Sequence, residues 1–169
     1  AGLATSPGFL GTRAGLFADL NLLAEILLLA GLSAGYFLVK RGNYAGHQYN
    51  QTVWVFFNIV LTIFIMEVAF NRQVVPGIPE KLLRTYYGVA TLHALLGGPT
   101  ILLAVYIVLH RNNLIPKALR WKKWKLLMQI ALAMYWVVGL FGIGTYYFWY
   151  LAPREATGAP EAAGATPQA

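Results

Sequence analysis

Cysteine is absent from the 169 residues. Disulfides, thiolate metal sites, iron–sulfur clusters and thiol redox chemistry are therefore excluded, and the redox compartment leaves no trace in the sequence. Charge is scarce as well: charged residues make up 11% of the chain against 58% hydrophobic, with a mean hydropathy of +0.56. Water-soluble domains carry about a quarter charged residues, so that class is excluded. Six acidic residues face thirteen Lys and Arg, a net charge of +7. The cations flank apolar segments rather than forming a nucleic-acid patch, so anionic lipid headgroups are the expected partner and nucleic acid is not. Catalytic signatures are missing too: no Walker sequence, no Gly-rich dinucleotide turn, no HExxH and no Ser/His/Asp arrangement proposes an enzyme.

What is present is a set of long apolar runs. Candidate spans cover Asp19 to Val39, Val53 to Phe70, Thr85 to Leu109 and Leu126 to Leu151. Each reaches or approaches the roughly 20 residues that cross about 30 Å of hydrocarbon. The expected fold is all-α, an integral membrane bundle of four transmembrane helices in up-and-down order. Residues 1–17 form an N-terminal segment, 18–151 the bundle, and 152–169 an Ala/Pro-rich tail with no apolar period, expected to be extended. Arg13 ahead of the first run weakly resembles a signal peptide cleaved near Ser33, Ala34 or Gly35, but the run is long enough to stay as a span.

The first and third loops carry eight Lys and Arg, and the opposite side carries Arg13, Arg72, Lys81, Arg84 and Arg154. Eight against five places the first and third loops in the cytoplasm and both termini outside, in a bacterial inner membrane. Six of the eight lie around LIPKALRWKKWKLLM, where Leu114, Ala118, Trp121 and Met128 share one helical face. That stretch is expected to be a short basic interfacial helix whose Lys117, Arg120, Lys122, Lys123 and Lys125 meet lipid headgroups. Trp54, Trp121 and Trp124 at one boundary and Tyr86, Tyr146, Tyr147, Trp149 and Tyr150 at the other read as aromatic belts.

Gly31 and Gly35 in the first span and Gly139 and Gly142 in the fourth are small-residue faces for close helix packing, inside the bundle or with partner helices. Gly97, Gly98 and Pro99 are expected to interrupt the third span.

Ionisable groups within a span are costly and mark candidate sites. Glu25, Glu67 and His93 all fall in the outer leaflet, at depths of about 9, 6 and 13 Å by helical rise. As a cluster they could bind a metal, relay protons or contact a quinone or haem edge. Equally they could serve interhelical hydrogen bonds, with Glu67 reaching to the surface. Asn58 and Glu67 are nine residues apart, about 180° round a regular helix, so one face is not expected to present both. A buried bis-His haem is not expected, because only His93 is deep; His47 and His110 lie at the inner boundary, where they could form a superficial haem site or act as interfacial polar residues.

His47 in HQYNQTVWVFFNIV, His93 in LHALLGGPTILLAVYIVLHR and the final MQIALAMYWVVGLFGIGTYYFWY resemble a bacterial membrane family, the domain of unknown function numbered four hundred and twenty. Some of its members are linked to maturation of haem-copper cytochrome oxidases. The resemblance covers about Lys40 to Tyr150 and aligns His47, His93 and His110 with the family's recurring histidines, and Tyr135, Gly139 and Tyr147 with its last helix. The family often places a His before the last helix, where this chain has RWKKWK, a departure that fits a structural or accessory member. The resemblance implies a non-catalytic accessory subunit or assembly factor of a respiratory or photosynthetic electron-transfer complex, bound to other integral membrane subunits. Two other readings remain: a haem- or quinone-binding electron carrier using His93, with the cofactor possible at a shared interface, and a small transporter based on Glu25 and the interrupted third span.

Overall fold

A computed structural model describes residues 6–153; the tail beyond residue 153 and the first five residues lie outside the described part. The described residues are helical, with one isolated bridge between Pro7 and Gly15. Helix α1 is Leu16–Lys40. Helix α2 comprises Tyr44–Leu61, a wider π-helical turn Thr62–Met66, and Glu67–Gln73. Helix α3 is Thr85–Arg111, and α4 is Trp124–Tyr146 ending in a π-helical turn Tyr147–Leu151. All four are long and apolar enough to cross a membrane, the make-up of a multi-pass membrane protein. The shortest has 25 residues, which rise about 38 Å against the 30 Å required.

Helix α1 packs on α2 and α4, α2 on α3, and α3 on α4. At one end, here the Asp19 end, the Arg13 guanidinium donates to the carbonyls of Tyr150 and Ala152, and the Trp149 indole donates to Tyr86 O. At the other, the His47 end, Gln48 donates to Asn112 Oδ1 at 3.2 Å and Arg111 stacks 4.5 Å from the Trp124 ring centroid.

Two boundaries differ from the sequence reading. Helix α2 starts at Tyr44, nine residues before Val53, because its polar first turns are satisfied by α1. Asn50 donates to Gly31 O, Gln51 to Leu32 O, and the His47 imidazole to Gly35 O. Asn43 caps the helix by accepting from the Gly46 amide. The basic segment forms only one 3-10 turn, Lys117–Leu119, and not the interfacial helix expected there. Pro116 precedes that turn, and nearby side chains take the place of helical hydrogen bonds. Arg120 donates to Ile115 O and Asn113 Oδ1, the Tyr106 hydroxyl donates to Leu119 O, and the same hydroxyl accepts from the Trp121 amide. Helix α3 runs unbroken through Gly97, Gly98 and Pro99, where the sequence suggested an interruption.

All four packing glycines are buried within the chain. A Cβ at Gly31 would strike the Trp54 indole, and one at Gly35 the Gln51 and Asn50 amides. A Cβ at Gly139 would strike Leu29, and one at Gly142 the Glu25 carboxylate. These faces are filled by the chain's own side chains, so they do not offer themselves to partner helices.

Candidate functional site: a polar cavity in one half of the bundle

Between the four helices lies a cavity of ≈690 Å³. Its walls are mostly apolar, and Asn21 and Glu25 of α1, Asn58 and Glu67 of α2, His93 of α3 and Tyr135 of α4 contribute polar groups. Glu25 lies nine residues into α1 and His93 eight residues into α3. By helical rise these are depths of about 14 and 12 Å from the same end, which is why two non-adjacent helices present them at one level. Glu25 Oε1 lies 3.9 Å from His93 Nδ1.

Neither group is spent on the other. His93 Nδ1 is 3.0 Å from Val138 O. A carbonyl can only accept, so the Nδ1 proton points to α4 and the Nε2 lone pair remains for a ligand. Glu25 is only 4% exposed, and its carboxyl takes part in no hydrogen bond among the described residues. Gly142 leaves the room that this carboxyl occupies. One turn earlier on the same face, Asn21 Oδ1 is buried without a partner. Acceptors left open at this depth are unusual, because an unsatisfied polar group in hydrocarbon is costly.

The floor of the cavity is closed. Asn58 Nδ2 donates to the Tyr135 hydroxyl at 3.0 Å. Leu28 and Leu29, which also line the cavity, form an apolar core with Leu32, Val55 and Ala104. At the Asp19 end Val74, Tyr86, Tyr87 and Ala90 form a second cluster with Phe70 and Trp149 against it.

Of the residues singled out in the sequence, Glu25 and His93 meet, and Glu67 lines the same cavity from an exposed position. Asn58 and Glu67 do share the cavity, contrary to the helical count. The π-helical turn at Thr62–Met66 turns through fewer degrees per residue than an α-helix, so it carries Glu67 round towards Asn58's side. His47 and His110 lie at the far end. Seventeen residues separate His110 from His93 along α3, about 25 Å. His47 holds Gly35 through Nδ1, while His47 Nε2 and His110 Nδ1 are buried without partners. Among the described residues no group of three or more His, Asp or Glu could hold a metal ion. Lys117, Lys122, Lys123 and Lys125 are exposed around the 3-10 turn, and Arg120 is half-buried by its loop contacts.

Asp19 is a structural residue that the sequence reading used only to mark a helix end. It is fully buried in the first turns of α1, accepting from the Leu10 amide at 2.8 Å and from the Tyr146 hydroxyl at 2.5 Å. Thr12 Oγ1 lies 2.8 Å from the same hydroxyl. The Gly-rich run before α1 carries the available signal: Gly8 packs where any Cβ would strike Asp19 Oδ2.

Comparison with protein-family models, with curated proteins and with solved structures finds no match for this chain.

Proposed function

We propose that this chain is a non-catalytic membrane subunit or assembly factor of a respiratory or photosynthetic electron-transfer complex, and that it works by holding a lipophilic redox ligand of the quinone class. The observation that carries this reading is the ≈690 Å³ apolar cavity with two unspent polar groups, Glu25 and His93, set side by side in it. Ligand sites are mostly apolar cavities of about 300–1,000 Å³ with a few convergent polar groups, and this one lies at bilayer depth. A quinone head offers oxygens to such a pair while its tail stays in hydrocarbon. His93 Nε2 would also be available to ligate a haem iron, since its other nitrogen is held by a carbonyl. This supports a haem variant of the same reading, with His93 as the single ligand from this chain.

The proposed setting is a bacterial inner membrane, with the helices in up-and-down order, both termini on the non-cytoplasmic side and the basic loop against anionic headgroups. Eight of thirteen cations in the first and third loops support that orientation. The sequence resemblance described above supports the electron-transfer setting. The test is native mass spectrometry of the gently solubilised complex, with organic extraction and an optical spectrum of the same sample. The expected result is co-isolation with subunits of an oxidase or reductase and about one extractable quinone, or one haem with a Soret band, per chain. A free chain with an empty cavity contradicts the proposal.

A further inference from the structure

The cavity is not closed on all sides: Phe17, Arg72 and Gln73, exposed at the Asp19 end, are among the residues that line it. Between α2 and α3, the Phe70 and Tyr86 cluster packs towards the Asp19 end and the Val55 and Ala104 core towards the other. At the level between them, the cavity wall is made by Phe64 of the π-helical turn and by Gly97, Gly98 and Ile101 of α3. Two of them also face outward. Phe64 is 71% exposed and Gly98 is exposed. A Cβ at Gly98 would meet nothing within 4 Å, and one at Gly97 would meet only Val138 at 3.8 Å. Residues that line a cavity and face the exterior together mark its mouth. Gly98 lies thirteen residues into α3, about 20 Å from that helix's start, which sets the mouth within the hydrocarbon layer.

We propose that this gap is a lateral portal: the ligand enters from the bilayer between Phe64 and Gly98, its head reaching Glu25 and His93 while its apolar tail remains in the gap. The inference rests on the proposed function and adds the route and the tail. Two local features build the portal. The wider turn at Thr62–Met66 displaces the α2 backbone, and the two glycines strip side chains from the facing stretch of α3. The ligand class is therefore an amphipathic lipid with one compact head and one flexible tail.

The test uses the full chain in lipid nanodiscs with two probes, decylubiquinone and its tail-less dimethoxy-methyl-benzoquinone head. Association and equilibrium binding are measured for the wild type and for Gly98→Leu, a change that adds bulk where the protein has no atom and favours the helix. The portal predicts that Gly98→Leu slows decylubiquinone association by about tenfold or more and slows the tail-less head by less than about threefold. Thermal stability should be unchanged. An unchanged rate for the tailed probe, or equal slowing of both probes, overturns the portal and leaves the proposed function standing. Failure of the wild type to bind either probe overturns the quinone reading and the portal together.

Discussion

The two halves of this bundle differ in packing: one is filled by its own side chains and the other holds a cavity. In the His47 half, Asn50, Gln51 and His47 donate to the carbonyls of Gly31, Leu32 and Gly35, while His47 Nε2 and His110 Nδ1 are buried without partners. Trp54 fills the space that Gly31 leaves, and Leu32, Val55 and Ala104 complete an apolar core. In the Asp19 half the same helices enclose a ≈690 Å³ cavity, with Glu25, His93 and Asn21 holding unused acceptors. In hydrocarbon, helix association depends on close contact and interhelical hydrogen bonds, and the first half has both. The second half gives up that packing. Capacity left unsatisfied at a stability cost is the signature of a site.

Changes in the closed half should therefore act on stability, and changes at the cavity itself on binding. The largest stability effect is expected from Gly31→Leu, which drives a branched side chain into the Trp54 indole between two packed helices. Overpacking of this kind costs about 3 kcal/mol, and it should be read as a fall in the thermal midpoint in detergent. Gly142→Ala is the matching change in the open half. The atoms nearest its Cβ are those of the Glu25 carboxylate, which can swing into the cavity, so the midpoint should move little while quinone binding falls. Equal destabilisation by the two would erase the distinction between the halves.

Asp19→Ala should come next. It removes the acceptor shared by the Leu10 amide and the Tyr146 hydroxyl, leaving the amide unsatisfied and the hydroxyl with Thr12 alone, at about 2 kcal/mol. The loss should appear as faster hydrogen exchange at Leu10 and as proteolysis of the segment before α1. Smallest is Asn58→Leu at the cavity floor, which breaks the hydrogen bond to Tyr135. Hydrogen bonds between membrane helices average about 0.6 kcal/mol, so its midpoint should fall only slightly.

Much of this architecture is legible in the sequence, and what escapes has physical reasons. Four apolar runs announce four helices because only a continuous helix satisfies its backbone in lipid. Counting helical rise places Glu25 and His93 at similar depth, and they do meet. The start of α2 escapes because His47, Asn50 and Gln51 read as a polar loop until α1's carbonyls are alongside. The shared placement of Asn58 and Glu67 escapes because nothing in TIFIM signals a π-helical turn to a count that assumes regular helix. The Asp19 clamp escapes because its partners Leu10, Thr12 and Tyr146 are brought together by the fold, Tyr146 lying 127 residues away.

On the proposed function, Glu25 is kept for a ligand and not for the fold. Glu25→Met keeps most of the side-chain volume and removes a buried carboxyl that no hydrogen bond satisfies. The decisive measurement takes thermal midpoint and extractable quinone from the same purified sample of wild type and variant. The expected result is a midpoint equal to or above wild type together with loss of the bound quinone. A lowered midpoint with quinone retained would show that the carboxyl serves packing, and would contradict it.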